Sequence, residues 1–229
     1  MTTQILPSGW RPTAVLFDCD GVLADSEHLV NRVVSAELTA RGWPLTPDEA
    51  GTVFLGMALP DMVPLIEARV GALPPDWAQA LKLRITDTMA REVPPVPGAR
   101  EVLDALLAAG VPVALASNSS RVELRAKLER LDLGRYFGDR VFSYEDVARA
   151  KPHPDIYLAA ATACGARPAD CAVIEDSATG ARAGVAAGCR VLGFCRETDP
   201  DALRAVGVAA LFAQMRDLPA LLGLRREAA

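Results

Sequence analysis

Residues 14–21 of this 229-residue chain read AVLFDCDG, an apolar run followed at once by two aspartates and a glycine. An unbroken apolar run, without polar alternation, is typical of a strand buried on both faces of a sheet. In open α/β sheets the residues just beyond the carboxyl ends of the strands form the ligand site. The stretch therefore predicts a buried strand over 14–17 and places Asp18 and Asp20 where chemistry is expected.

Similar apolar runs recur along the chain, at residues 113–116, 140–142, 172–174, 190–194 and 208–211. Helical patterns separate or follow them, at residues 98–109, 121–131, 154–164, 179–187 and 217–224. Strands that alternate with helices indicate βαβ units with right-handed crossovers. The sequence therefore predicts an α/β protein with a parallel, doubly wound sheet.

The alternation stops between residues 26 and 95, which contain helix signals and no convincing strand. Thr46, Pro47 and Glu49 form a capping-box pattern, and Asp76 opens a second helical pattern. Residues 93–98 are rich in proline and read as a stiff linker. We therefore expect a helical cap domain over 26–95, inserted into an α/β core formed by residues 1–25 and 96–229.

Composition excludes several classes of protein. The formal net charge is −5, from 24 Lys+Arg and 29 Asp+Glu, and no basic cluster suggests a nucleic-acid partner. The longest uncharged stretch, residues 105–120, is interrupted by Gly110 and Pro112, so no membrane span is expected. Five cysteines without Cys-x-x-Cys spacing favour a reducing compartment. We expect a cytoplasmic protein, and no protein partner is implied.

Polar side chains follow the other predicted strands. Ser117 and Asn118 come after the second run, and Glu175 and Asp176 come after the fourth. Lys151 lies in a Lys-Pro-His-Pro segment that leads into a helix. Because the carboxyl ends of parallel strands share one edge of the sheet, we expect these side chains to meet there.

Four carboxylates would crowd together at this edge: Asp18, Asp20, Glu175 and Asp176. Such a cluster is costly unless a cation is present, and oxygen-only ligands suit Mg²⁺. Ser117 and Lys151 suit the oxygens of an anion such as phosphate. The combination predicts attack of a carboxylate on phosphorus, with an aspartyl-phosphate intermediate. Asp20, two residues from Asp18, would serve as acid and then as base.

Four segments together resemble the ordered motifs of haloacid dehalogenase (HAD) superfamily phosphatases. They are residues 17–27 (FDCDGVLADSE), Ser117-Asn118, Lys151-Pro152-x-Pro154 and residues 173–180 (VIEDSATG). The resemblance covers essentially the whole core. It is to the group of β-phosphoglucomutase-like enzymes and sugar-phosphate phosphatases with an inserted, C1-type helical cap. It implies a Rossmann-like core and Mg²⁺-dependent phosphate transfer.

The resemblance also implies roles for individual residues. Asp18 would be nucleophile and metal ligand, and Asp20 the general acid/base that lends its backbone carbonyl to the metal. Ser117 and Lys151 would hold the phosphate, whereas Asn118 would contact substrate or cap a helix. Asp176 would complete the metal site, with Glu175 close by.

Two other enzyme activities are weighed against hydrolysis of a small sugar or polyol phosphate. Dehalogenases typically lack the second aspartate, which is present here as Asp20. β-Phosphoglucomutases use a cap histidine and a cap arginine, and these positions fall on Val30 and Leu59. His28 is two residues from the first of them, so a phosphomutase remains the enzymatic alternative.

A receiver-like signalling domain phosphorylated on Asp18 is the alternative from another class. Such domains share the doubly wound fold, but they are usually smaller and need neither a cap nor an adjacent acid/base. An inactive binding module fits less well, because every chemical position is filled.

Overall fold

Parallel β-strands form the centre of the structure, a computed structural model that describes residues 9–224. Within these residues the strands are β1 (Ala14–Phe17), β2 (Val113–Ser117), β3 (Val141–Ser143), β4 (Cys171–Glu175), β5 (Arg190–Phe194) and β6 (Ala210–Phe212). Their order across the sheet is β3-β2-β1-β4-β5-β6, and all neighbours are parallel. The chain thus winds outward in both directions from β1, which confirms the predicted α/β doubly wound fold.

Helices connect and cover the strands. In the described part of the chain they are α1 (Glu27–Ala40), α2 (Pro47–Phe54), α3 (Leu59–Val70), α4 (Trp77–Glu92), α5 (Ala99–Ala108), α6 (Arg121–Leu131), α7 (Gly134–Phe137), α8 (Asp155–Ala163), α9 (Ala178–Ala186), α10 (Pro200–Val206) and α11 (Leu218–Leu221). None of these helices combines the length and the apolar character needed to cross a bilayer.

Alternate residues of β1 enter different hydrophobic clusters. Val15 and Phe17 belong to one cluster, together with Ile174 of β4. Leu16 belongs to a second cluster, which includes Tyr157 of α8. Every residue of β1 is fully buried. Burial on both faces explains why this strand is an unbroken apolar run.

Several element bounds differ from those expected. The strands β1 and β5 have the predicted bounds, whereas β6 begins at Ala210 because pairing with β5 starts there, opposite Leu192. The helix α10 was not predicted, although Asp199 accepts a hydrogen bond from the backbone N–H of Asp201 and acts as its N-cap. The predicted helix at 217–224 is shorter, because a 3₁₀ turn at Met215–Asp217 precedes it.

Four helices, α1–α4, lie between β1 and α5 in the segment predicted to form the cap and are called the cap helices below; residues 26–92 contain no strand. The capping box at Thr46 and Glu49 is confirmed by reciprocal hydrogen bonds of 3.2 and 2.8 Å. The two ends of this segment lie side by side: Asp25 donates its backbone N–H to the Pro94 carbonyl, and Val96 donates to the Leu23 carbonyl, each at 2.9 Å.

These adjacent crossing points support the predicted division into core and cap, which stays a prediction. The outermost parts of the predicted core, residues 1–8 and 225–229, lie outside the described residues.

Candidate active site

The carboxyl ends of three strands bring predicted residues together. Asp18 directly follows β1, Ser117 ends β2 and Glu175 ends β4. Lys151, in the loop before α8, places its ammonium 2.7 Å from Asp18 Oδ1 and 2.7 Å from Glu175 Oε1. All four side chains are buried. The structure therefore assembles these residues at one edge of the sheet, while their catalytic roles stay predictions.

Glu175 has both carboxylate oxygens engaged by protein donors. Lys151 and the Tyr157 hydroxyl donate to Oε1, each at 2.7 Å. Ser177 donates to Oε2 from its backbone N–H at 3.2 Å and from its hydroxyl at 3.1 Å. The close approach of α9 requires Gly180, because a Cβ there would lie 1.6 Å from Oε1. These contacts suit Glu175 to holding Lys151 in place. Donation from Tyr157 and Ser177 to Glu175 was not predicted from the sequence.

Asp176, by contrast, accepts no hydrogen bond at its carboxylate from any residue in 9–224, although it is only 7% exposed. Gly21, with a φ of +71°, makes room for this side chain, since a Cβ there would lie 1.8 Å from Asp176 Oδ2. Asp18, Glu175 and Asp176 each offer an oxygen within 4.8 Å of the others. The arrangement leaves a buried carboxylate that is free to hold a ligand.

The electrostatics of these carboxylates favour a cation. Burial raises the pKa of Asp18 to about 8, because the charge of Lys151 does not fully offset it and the charges of Glu175 and Asp20 add repulsion. Burial, followed by the charges of Asp18 and Glu175, raises the pKa of Asp176 well above its ordinary value. A cluster this costly to ionise fits a divalent cation, and Mg²⁺ prefers oxygen ligands.

Asp20 lies in a different environment. Its Oδ1 accepts from the Ser26 hydroxyl and from the Lys127 ammonium. Its Oδ2 accepts from the hydroxyls of Ser117, at 3.1 Å, and of Ser119, at 2.8 Å. Burial would raise the pKa of Asp20, but the Lys127 charge and these hydrogen bonds outweigh it and lower the pKa to about 2. Asp20 is therefore ionised in this arrangement.

Lys127 is a residue of the site that sequence reasoning missed. It lies on α6, is 1% exposed and also contacts Glu123 at 2.5 Å. Burial lowers the pKa of Lys127, but the charges of Asp20 and Glu123 outweigh this effect and raise it above its ordinary value. The sequence contained one indication that Lys127 is buried. It is four residues before the apolar Leu131, and this spacing places both on the same, buried face of α6.

Glu27 is a second missed residue, at the start of α1. It lines the same cavity as the aspartates. Burial, followed by the charges of Asp20, Glu197 and Asp25, raises the pKa of Glu27 to about 7. Glu27 stands within the first motif, but nothing in its spacing distinguished it from a first-turn helix residue.

Asn118 and Ser117 make their contacts mainly with protein groups. The Asn118 amide donates to the carbonyls of Gly56, at 3.0 Å, and Lys151, at 3.2 Å. Its side-chain oxygen accepts from the Lys151 backbone N–H at 3.0 Å. The Ser117 hydroxyl accepts from the Ser119 N–H at 3.0 Å while it donates to Asp20. Both side chains therefore position neighbouring residues, and their contact with substrate stays a prediction.

A cavity of about 600 Å³ lies between these residues and the cap helices. Its core side includes Asp18, Asp20, Lys151 and Asp176. Its cap side is largely apolar and includes Val30, Phe54, Leu59, Met62 and Ile85. His28 also lines it. The two cap positions that a mutase would fill with histidine and arginine, Val30 and Leu59, thus face the cavity with aliphatic side chains.

Comparison with known proteins gives the family. Residues 12–188 match the model of the haloacid dehalogenase-like hydrolases. The 6-phosphogluconate phosphatase of Escherichia coli (strain K12) is 29% identical over 189 residues, 82% of this chain and 84% of the relative. Hexitol phosphatase A of the same organism is 32% identical over 199 residues, 86% of this chain and 89% of the relative.

Solved structures agree with this result. The crystal structure of a HAD family hydrolase from Deinococcus radiodurans R1, with bound phosphate and sodium, is 35% identical and has a TM-score of 0.74. The match covers 99% of this chain and 100% of that chain. The chain therefore belongs to the haloacid dehalogenase-like hydrolase family. The predicted family and the predicted class, a phosphatase enzyme, are confirmed.

Proposed function

We propose that the protein hydrolyses small phosphomonoesters, in particular sugar or polyol phosphates, through an aspartyl phosphate on Asp18. The observation that carries the proposal is the contact of Lys151 with both Asp18 and Glu175, beside the Asp176 carboxylate, which accepts no hydrogen bond from residues 9–224. The Asp18 carboxylate lies between the buried Lys151 ammonium and the proposed cation site. Two positive charges in these positions are suited to bringing a phosphate dianion to Asp18.

The reaction has two steps. An oxygen of Asp18 attacks phosphorus and the ester bond to the leaving oxygen breaks. Asp20, protonated once it has left some of the contacts that keep it ionised in this arrangement, gives that oxygen a proton. Asp20, now a carboxylate, then accepts a proton from the water that attacks the aspartyl phosphate. Free phosphate leaves and Asp18 is regenerated. Ser117 and Lys151 hold the phosphate oxygens in this scheme.

Mg²⁺ is the cation that the donor set fits best. The carboxylates of Asp18 and Asp176 would hold it, together with the backbone carbonyl of Asp20 and with Glu175 close by. When bound, it supplies positive charge that offsets the charge of the phosphate group.

The cavity and the relatives support the substrate class. A cavity of about 600 Å³ covered by helices accommodates a small metabolite. Two relatives are named for 6-phosphogluconate and for hexitol phosphates. Net hydrolysis is favoured over a mutase because Val30 and Leu59 can neither shuttle a proton nor bind a second phosphate. Membership of a hydrolase family speaks against the receiver-like signalling domain.

The test is a phosphate-release screen over phosphorylated sugars, sugar acids and polyols, with Mg²⁺ and with EDTA. We expect phosphate and alcohol in equal amounts, and loss of turnover in EDTA and in Asp18→Asn. Asp61→Asn is the matched control, because Asp61 is an exposed aspartate of α3.

Two results would contradict the proposal. Activity that survives Asp18→Asn would exclude the aspartyl phosphate. Isomerised sugar phosphate without free phosphate would identify a mutase.

A further inference from the structure

Lys127 is a buried cation that none of the four motifs includes. Its ammonium contacts Asp20 Oδ1, Ser119 Oγ at 2.9 Å and Glu123 Oε1 at 2.5 Å. Burial of an ammonium is unfavourable unless acceptors surround it. The three acceptors meet that requirement, and two of them are carboxylates. Lys127 thus joins the proposed acid/base to a second acid that the mechanism does not use.

Asp20 is saturated in this arrangement. An ionised carboxylate offers about four acceptor sites. Ser26 and Lys127 occupy Oδ1, and Ser117 and Ser119 occupy Oδ2. No site remains for the oxygen of an ester or for a water molecule. Asp20 must therefore leave some of these partners before it can transfer a proton.

Ser119 shows how the cluster can rearrange. Its hydroxyl lies 2.8 Å from Asp20 Oδ2 and 3.0 Å from Glu123 Oε1, and it accepts from Lys127. A hydroxyl has one proton, so Ser119 can donate to only one of the two carboxylates at a time. When Asp20 leaves, Ser119 can turn to Glu123, and Lys127 keeps an anionic partner. The Lys127–Glu123 pair that remains has no net charge, and Ser119 is hydrogen-bonded to it.

We propose that Lys127 is a positioning residue that holds Asp20 in the saturated orientation, and that Glu123 promotes release of Asp20 by sharing the Lys127 charge. The inference rests on the proposed role of Asp20 as general acid/base. Lys127 touches neither phosphate nor leaving group in this account and acts only through Asp20.

Two variants distinguish this role from a structural one, because the second is expected to reverse the loss of activity that the first causes. In Glu123→Gln, Asp20 is the remaining carboxylate partner of Lys127 in the described cluster, so Asp20 is held more tightly. In the double variant Glu123→Gln/Lys127→Met, both charges are absent and Asp20 keeps only its three serine hydroxyl donors, so its side chain can turn away more easily. Lys127→Met alone is avoided because it leaves two buried carboxylates without a cation. Glu129→Gln is the control, since Glu129 is exposed on the same helix and pairs with Arg125.

The readout is kcat/KM for two substrates with different leaving groups. The nitrophenolate of p-nitrophenyl phosphate leaves without a proton, whereas the alkoxide of a hexitol phosphate needs one. We expect Glu123→Gln to lower kcat/KM about tenfold for the hexitol phosphate and less than twofold for the aryl ester, which is a partial loss of the roughly 10²–10⁴-fold that acid catalysis contributes. The double variant should restore the hexitol phosphate rate to the wild-type level or above. Parallel losses on both substrates, or a double variant as slow as Glu123→Gln, would overturn the proposal.

Crystal structures separate failure of this inference from failure of the proposed function. The orientation of Asp20 is compared in the wild type, Glu123→Gln and the double variant, each with Mg²⁺ alone. We expect Asp20 to contact Lys127 of α6 in the wild type and in Glu123→Gln. In the double variant we expect Asp20 to adopt a different rotamer. An unchanged Asp20 in the double variant contradicts the role of Lys127, whether or not the wild type hydrolyses any phosphomonoester.

Discussion

The side-chain amide of Asn118 donates a hydrogen bond of 3.0 Å to the backbone carbonyl of Gly56, and so joins the end of β2 to the loop between α2 and α3. The same side chain accepts from the backbone N–H of Lys151 at 3.0 Å. Asn118 thus contacts both the loop between α2 and α3 and the backbone of Lys151.

Asn118→Ala should lower kcat about tenfold and raise KM, because both contacts are lost. Asn118→Asp keeps an acceptor for the Lys151 N–H but loses the donor to Gly56, so it should raise KM with a smaller effect on kcat. Steady-state kinetics on the best substrate of the screen measures both. Identical kinetics in the two variants would contradict separate effects of the contact with Gly56 and the contact with Lys151.

Gly21→Ala should lower the stability of the protein and should also weaken metal binding. A left-handed residue other than glycine costs about 1–2 kcal/mol, and the new methyl group would also displace the Asp176 carboxylate. Gly42→Ala is the control, because Gly42 has a φ of +89° with no atom within 4 Å of its Cβ position. Calorimetric titration with Mg²⁺ should show reduced affinity in the first variant alone. Equal affinity in both would remove Asp176 from the metal site.

Tyr157→Phe should lower both stability and activity. Its hydroxyl donates to Glu175, and a hydrogen bond to a charged group contributes about 1.5–3 kcal/mol. Glu175 would then hold Lys151 less firmly, so kcat should fall severalfold. In the control, Tyr136→Phe, the lost hydroxyl bonds Asp104 away from the site, and kcat should not change. Urea unfolding and kcat measure the two effects, and a normal kcat in Tyr157→Phe would contradict the positioning role of Glu175.

Glu27→Gln should stabilise the metal-free protein at alkaline pH. Folding raises the pKa of Glu27 from 4.5 to about 7, so between these values the folded state binds a proton that the unfolded state has released. The stability of the wild type therefore falls as pH rises through this window, and the variant lacks this loss. Because the side chain lines a solvent-accessible cavity, we expect a gain of about 1–2 kcal/mol at pH 8.5 and little at pH 5.

Chemical unfolding in EDTA at the two pH values tests this prediction. Glu101→Gln, an exposed change on α5, should have no such pH-dependent gain. A gain of equal size at both pH values would show that burial of the Glu27 charge is not its cause.

The sequence predicted best those features that depend on continuous patterns. The strands β1 and β5 are apolar runs, and the aspartates and Lys151 stand next to such runs or to a proline-rich loop. Lys127 could not be recognised in the same way, because its significance comes from Asp20, which is distant in sequence. Tyr157 likewise reads as an ordinary aromatic residue of a helix until α8 brings its hydroxyl to Glu175.

The hydrogen bonds from Asp25 to Pro94 and from Val96 to Leu23 have a consequence for how such a protein can diversify. The chain enters and leaves α1–α4 at points that are adjacent in space, so one continuous segment carries the four helices that line much of the cavity. Exchange of that segment between relatives would leave the strand order of the sheet unchanged. Recombination at the two ends of the segment would exchange the helices over the cavity, whereas Asp18, Asp20, Lys151 and Asp176 would stay in place on the core.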